Sequence, residues 1–357
     1  LTFLKNEALE MPGVAAQWTV FFLLASWTHH YFNPAFLYPA LTAYLVFSLL
    51  HLALPAVMSR RGLAAQPWPF QALPVLALPF YLLSFDAFSS HPALFFGTVF
   101  LVNLGMLAAA LCDENSVPAH GAAGISAFLL LALWTWNSLT PGHLYAALAF
   151  YFIFALFHSA APLIMRRLRG TDVPWWCGSV PALALLLILM PLLKLAELSF
   201  LIWPLVLAID ILAVLLAVAT AALMPILVVL ALTLLVLGTW IFRIPADLTG
   251  LPVALWMLGG FALFFISAAA WACRKLGEAV PDRAGKEVPG LLGDLNNPAN
   301  LAVQIPALSA SMPFLLLIMM TLRLPMPNPS PVFGLALLLA VLLLGLARFM
   351  ALEALPA

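Results

Sequence analysis

Apolar residues in this chain neither alternate with polar ones at the period of a strand nor keep to one stripe of a helix. They run in long Leu/Ala/Phe-rich blocks, separated by short stretches that hold most of the Pro, Asn, Asp, Lys and Arg residues. A bilayer core is about 30 Å thick and a helical residue rises 1.5 Å, so one crossing takes about 20 apolar residues. The blocks predict twelve crossings. The first four run approximately from Val14 to Tyr31, Pro34 to Met58, Trp68 to Ser89 and Pro92 to Cys112. The next four run from Pro118 to Leu139, His143 to Met165, Pro174 to Leu193 and Leu198 to Ala219. The last four are Ala221 to Phe242, Leu251 to Cys273, Leu301 to Leu322 and Pro331 to Met350. Between Leu198 and Phe242 only Asp210, Thr220 and Pro225 offer a break, and length requires two crossings there.

Backbone in hydrocarbon must satisfy its own hydrogen bonds, and blocks without barrel-type alternation do so as helices. The expected fold class is an all-α integral membrane protein. Prolines open several blocks at Pro34, Pro92, Pro118, Pro174 and Pro331, where the missing N–H costs nothing. Others, at Pro55, Pro74, Pro79, Pro162, Pro181, Pro191 and Pro204, read as interior and are expected to kink or open their helices.

A shift of 107 residues superposes the sequence on itself. It lays Ala40, Leu41, Tyr44, Phe47, Leu49, His51, Ala53, Pro55, Met58, Arg60, Pro67 and Trp68 on identical residues between Ala147 and Trp175. Those twelve identities fall in a gapless 29-residue window, where so biased a composition gives roughly three by chance. The register also puts Trp27-Thr28 on Trp134-Thr135 and Asn103 on Asp210. A more diverged third copy contains Ala254, Leu255, Phe261 to Phe264, Arg274 and Pro281, with Phe265 in place of the histidine. The expectation is three tandem four-helix repeats of roughly 107 residues: 1–113, 114–219, and 220–357 with a polar insertion at about 276–300. Four helices return the chain to its starting side, so the repeats are parallel rather than inverted.

Composition sharpens this picture. The chain is 65% hydrophobic and 8% charged, whereas a soluble domain carries about 25% charged residues. Fourteen basic and fourteen acidic residues balance to zero net charge, which gives no pull toward nucleic acid and excludes nucleic-acid binding. On the twelve-helix topology, eleven of the fourteen Lys and Arg residues share the side of the termini, while Lys194, Arg243 and Arg323 lie on the other. The positive-inside rule then places both termini in the cytoplasm. Cys112, Cys177 and Cys273 show no C-x-x-C spacing and give neither a disulfide framework nor a zinc ribbon. A chain starting at Leu1, with Lys5, Glu7 and Glu10 ahead of any apolar run, reads as an internal piece of a longer protein.

Four residues are candidates for a substrate or proton pathway: Asp210, His158, His51 and Asn103. Ionisable groups at membrane depth are costly, which makes each a functional hypothesis. His51 and His158 stand one turn before Pro55 and Pro162, where a proline at i+4 frees the histidine's own carbonyl. They form a proton relay or substrate contact, or else are inherited kink histidines packed against a neighbouring helix. Asp210 lies mid-span with Asn103 as its repeat counterpart, and its alternative role is a carboxyl hydrogen-bonded between helices. Asp86 sits near a helix end and reaches water, while Lys194 and Glu197 have the spacing of a helical ion pair. No P-loop, H-E-x-x-H, G-x-S-x-G or G-x-G-x-x-G context occurs. The expectation is therefore no enzyme, no catalytic residue, no cofactor and no metal.

The stretches F-A-L-F-H-S-A-A-P-L-I-M-R-R, P-W-W-C-G-S-V-P-A-L-A-L-L-L-I-L-M-P-L-L-K-L and F-F-G-T-V-F-L-V-N-L-G-M-L-A-A-A-L resemble the large bacterial membrane proteins grouped as domain of unknown function 2339. The resemblance covers nearly the whole chain and implies a bacterial inner-membrane, multi-pass protein, without assigning any residue a role. Two functions fit these observations: a transporter or translocation subunit for a small or lipid-like substrate, and a non-catalytic scaffold that assembles envelope proteins. Membrane lipids and other membrane proteins are the expected partners.

Overall fold

The structure is a computed structural model and describes residues 10–60, 68–170, 175–195, 199–220, 222, 224–244, 250–279, 298–325 and 328–350. All regular structure among the described residues is helical. The helices are α1 (Glu10–Tyr31), α2 (Leu37–Arg60), α3 (Trp68–Leu82), α4 (Asp86–Ser89), α5 (Pro92–Cys112), α6 (Val117–Ser138) and α7 (Leu144–Arg169). They continue as α8 (Val180–Lys194), α9 (Ile202–Thr220), α10 (Met224–Ile241), α11 (Leu251–Ala279), α12 (Pro298–Arg323) and α13 (Ser330–Met350). Eight helical stretches among the described residues are long and apolar enough to cross a membrane, carried by α2 and by α5 to α11. The protein is a multi-pass helical membrane protein. Shorter apolar stretches occur in α3, α12 and α13, at Ala72–Leu82, Leu308–Arg323 and Ser330–Gly345.

Several boundaries differ from the sequence expectation for local reasons. The block from Trp68 to Ser89 divides at 83–85 into α3 and the one-turn α4, which Asp86 opens as an exposed residue. Pro181, Pro204 and Pro225 fall within the first three residues of α8, α9 and α10, where a proline needs no acceptor, so they begin helices rather than kink them. α7 continues without a break through Pro162 and ends at Gly170, whose φ of 69° is the left-handed conformation that glycine adopts without strain. The division expected between Leu198 and Phe242 falls just after Thr220, with Pro225 at the second position of α10. Glu197 and most of the polar insertion at 276–300 lie outside the described residues.

The chain forms two compact units, Leu1–Pro174 and Trp175–Ala357. In the first, α5 packs against α2, α6 and α7, and α6 also meets α3. At Gly105 a Cβ would stand 2.6 Å from Leu49 Cδ2, so the absence of a side chain is what brings α5 this close to α2. In the second unit, α10 contacts α8, α9, α11 and α12, while α11 also packs on α9, α12 and α13.

Helix ends are tied together by arginine. Arg169, closing α7, donates to the Ala110 carbonyl at the end of α5 over 3.0 Å. Arg243, just past α10, donates to the Leu192 carbonyl near the end of α8, and Arg323, closing α12, donates to Phe242 O over 2.9 Å. Each bond gives a cation to C-terminal carbonyls that lack an intrahelical partner. It also requires the two helices to run in the same direction, so α5 and α7 share one end of their unit, and α8, α10 and α12 share one end of theirs.

Polar groups inside the spans are paired at matching places. Tyr151 of α7 and Thr135 of α6 are hydrogen-bonded through their hydroxyls at 2.5 Å, both fully buried. Tyr44 of α2 and Thr28 of α1 make the same bond 107 residues earlier; Thr28 gives its own proton to Leu24 O, so the tyrosine is the donor. α2, α7 and α11 begin at Leu37, Leu144 and Leu251, also 107 residues apart. A double-mutant cycle of Tyr151→Phe with Thr135→Val, read by unfolding in detergent, should give a coupling of about 0.6–1.7 kcal/mol, the usual strength of such bonds between membrane helices. A coupling near zero would mean that the hydroxyls are not bonded.

Candidate functional site

α7 carries His158 on the face it turns to α6, and the ring is 0% exposed. Its surroundings are aromatic. Phe154, one turn earlier, stacks on it at 6.2 Å between ring centroids with planes 12° apart. Phe157 meets it edge-on at 5.0 Å, and Phe128 of α6 lies at 6.4 Å. The fourth ring is His120, on the first turn of α6, also 0% exposed, with its centroid 5.0 Å from that of His158 and its plane tilted by 31°. Neither ring nitrogen of His158 has a hydrogen-bond partner. Two imidazoles thus share a water-excluded pocket inside the spans of α6 and α7.

The backbone allows this because α6 has a glycine where His158 needs room. A Cβ at Gly124 would stand 3.0 Å from His158 Nδ1 and 3.3 Å from two ring carbons. His120 is the residue that sequence reasoning missed. Its counterparts under the 107-residue shift are Gly13 and Leu227, so a search guided by repetition passes over it. The signal that could have found it is a histidine beside Pro118 at the head of an otherwise apolar block.

The other candidates are placed separately. His51 of α2 is 7% exposed and has Phe21 edge-on at 5.1 Å, the counterparts of His158 and Phe128 under the same shift. Asn103, buried in α5, donates to Val99 O in its own helix over 2.8 Å, which leaves its Oδ1 buried without a hydrogen bond. Asp210 belongs to the second unit, whereas His51, Asn103 and His158 belong to the first. Its Oδ1 accepts from Thr233 of α10 over 2.8 Å, a hydrogen bond between helices, and its Oδ2 is buried without one. The polar candidates therefore stand as three or more separate side-chain environments.

Chemically, the His120–His158 pair offers nitrogen donors or acceptors in a site without competing water. Two imidazoles fall short of the three protein ligands of an open metal centre, and among the described residues no group of three or more His, Cys, Asp or Glu side chains could hold an ion. A described cavity in this unit, between α2, α3 and α5, amounts to about 20 Å³, room for a water but not for an organic substrate.

Two stability measurements test these environments. Gly97→Ala, with nothing within 4 Å of the new Cβ, should stabilise the protein by up to about 1 kcal/mol through helix propensity. Gly124→Ala makes the same propensity gain but should lower stability, because His158 is caged by aromatic rings and cannot move aside; equal effects would show a loose cage. Asp210→Asn, which keeps an acceptor for Thr233, should stay within about 1 kcal/mol of wild type, while Thr233→Val should cost about 1–3 kcal/mol. The reverse order would mean that Thr233 does not serve the carboxyl. No protein-family model, no curated protein and no solved structure matches this chain.

Proposed function

We propose that this protein is a transporter or translocation subunit for a small or lipid-like substrate, with the His120–His158 pair as its polar contact within the membrane. The supporting observation is the ring of His158: buried inside a span, 5.0 Å from a second imidazole, with both nitrogens lacking a hydrogen bond. A polar side chain kept at depth without a partner costs folding free energy, and function is the usual reason for retaining one. The pair would take up a proton, or a donor group of the substrate, when the surrounding helices part.

The proposed setting is a bacterial inner membrane crossed twelve times by three parallel four-helix repeats, both termini cytoplasmic, in a chain akin to domain of unknown function 2339. The recurrence of the Thr–Tyr bond and of the α2, α7 and α11 starts at 107-residue intervals supports the repeats. Sharing of one bundle end by Arg243 and Arg323 supports their assignment to a common side. The scaffold reading keeps one observation of its own: Asp210, the one acidic candidate, is engaged by Thr233 as a structural hydrogen bond would be.

Native mass spectrometry of the full-length protein, extracted gently from its own membrane, tests the proposal. A small molecule or lipid that copurifies and is lost in His158→Phe, a variant shaped to keep the aromatic packing, is the expected result. Stoichiometric partner proteins with no ligand, unchanged in His158→Phe, would replace transport with scaffolding.

A further inference from the structure

In the second unit a groove of about 530 Å³ runs beside the contact of α11 with α13. One wall is the stripe Leu251, Leu255 and Leu263, spaced at multiples of four on one face of α11; the other is Leu335 and Leu338 of α13. Its hollow is made by Gly259 and Gly260, and a Cβ built on Gly260 meets nothing within 4 Å. From Leu251 to Leu263 it extends about 18 Å along the helix, close to the depth of one leaflet of a core about 30 Å thick. Trp256, 81% exposed, stands over it near one end, where indoles sit at membrane interfaces.

That end is basic. The groove opens at Leu251 and Pro331, the starts of α11 and α13, and the chain reaches those starts from the ends of α10 and α12. Ile244 lies against Gly250, its Cγ2 3.5 Å from a Cβ built there, which brings the residue after Arg243 to the residue before Leu251. Arg323 is bonded to Phe242 O, the residue before Arg243, so both guanidinium groups belong to the end where the groove opens. Arg323 is exposed and uses one of its five N–H donors in that bond. Lys194 closes α8 at the same end. In the charge count these are the three basic residues set apart from the other eleven.

We propose that this groove is a binding site for an anionic phospholipid, one acyl chain lying along Gly259 and Gly260 and the phosphate held by Arg323 and Arg243. Concavity distinguishes the site from an ordinary lipid-facing helix surface, and the paired arginines distinguish the anionic head group from a zwitterionic one. The assignment goes beyond the transport reading and stands on the groove and its basic end alone. Failure at His158 leaves it intact, and its own failure leaves the histidine pair untouched.

The full chain, reconstituted in phosphatidylcholine vesicles, is titrated with brominated phosphatidylglycerol or brominated phosphatidylcholine. Quenching at the groove is read as the difference in tryptophan fluorescence between wild type and Trp256→Phe. The anionic lipid should be preferred about fivefold for each engaged arginine, the weight of one basic residue at a membrane surface. Arg323→Gln should reduce the preference by that factor, Arg323→Lys should retain most of it, and Gly260→Leu should abolish close quenching by both lipids. Equal quenching of the wild type by the two lipids, which requires no variant to fold, would overturn the proposal. So would a preference unchanged in Arg323→Gln, or quenching by either lipid that persists in Gly260→Leu.

Discussion

A chain so poor in charge has few partners to offer a peptide group other than another peptide group. That constraint, internal satisfaction of every backbone donor and acceptor where water is scarce, selects helices and then governs where they end. The first and last turns of each helix leave carbonyls and N–H groups over. Proline removes an N–H at the starts of α5, α6, α8 and α10, and Arg169, Arg243 and Arg323 supply donors at the far ends of neighbouring helices. Because an arginine must reach a neighbour's last turn, the same bonds order the helices into groups of common direction. End chemistry thereby becomes tertiary structure.

The same constraint sorts the side chains buried within spans. Thr28 with Tyr44, Thr135 with Tyr151, and Asp210 with Thr233 are bonded between helices, and each couples two helices in register. His158 departs from that pattern, since its ring is held by shape rather than by hydrogen bonds, through three phenylalanines, a second imidazole and the hollow at Gly124. Asn103 departs halfway, with its amide spent on its own helix and its carbonyl oxygen left over. These are the places where this chain holds polarity that its fold does not use.

The 107-residue recurrence gives His51 and His158 the same local frame, a histidine facing a phenylalanine from the preceding long helix, Phe21 or Phe128. What differs is the residue added beside it. His120 has no counterpart in either flanking copy, so the imidazole pair belongs to one place in the chain rather than to the repeat. Similarly, Asn103 and Asp210 occupy equivalent positions but bond differently, one within its helix and the other across to α10. A shared backbone with divergent polar side chains is how a duplicated scaffold acquires local specialisation.

Residue identity was enough to establish the helical class, the approximate place of most helices, the break after Thr220 and the 107-residue spacing, because each depends on local apolar length, on proline's missing N–H or on self-similarity. It singled out His158 and Asp210 as buried polar groups for the same reason: a histidine or carboxylate in an apolar block is visible from the block alone. The division of Trp68 to Ser89 into α3 and α4 was not visible, since Leu83, Ser84 and Phe85 are as compatible with a helix as with a turn. Only packing could choose His120 as the neighbour of His158, give Asp210 to Thr233, open a groove at Gly259 and Gly260, and gather Arg243 and Arg323 at its mouth. Those pairings join residues 23 to 80 positions apart, and nothing in a local hydrophobic pattern says which two helices will lie side by side.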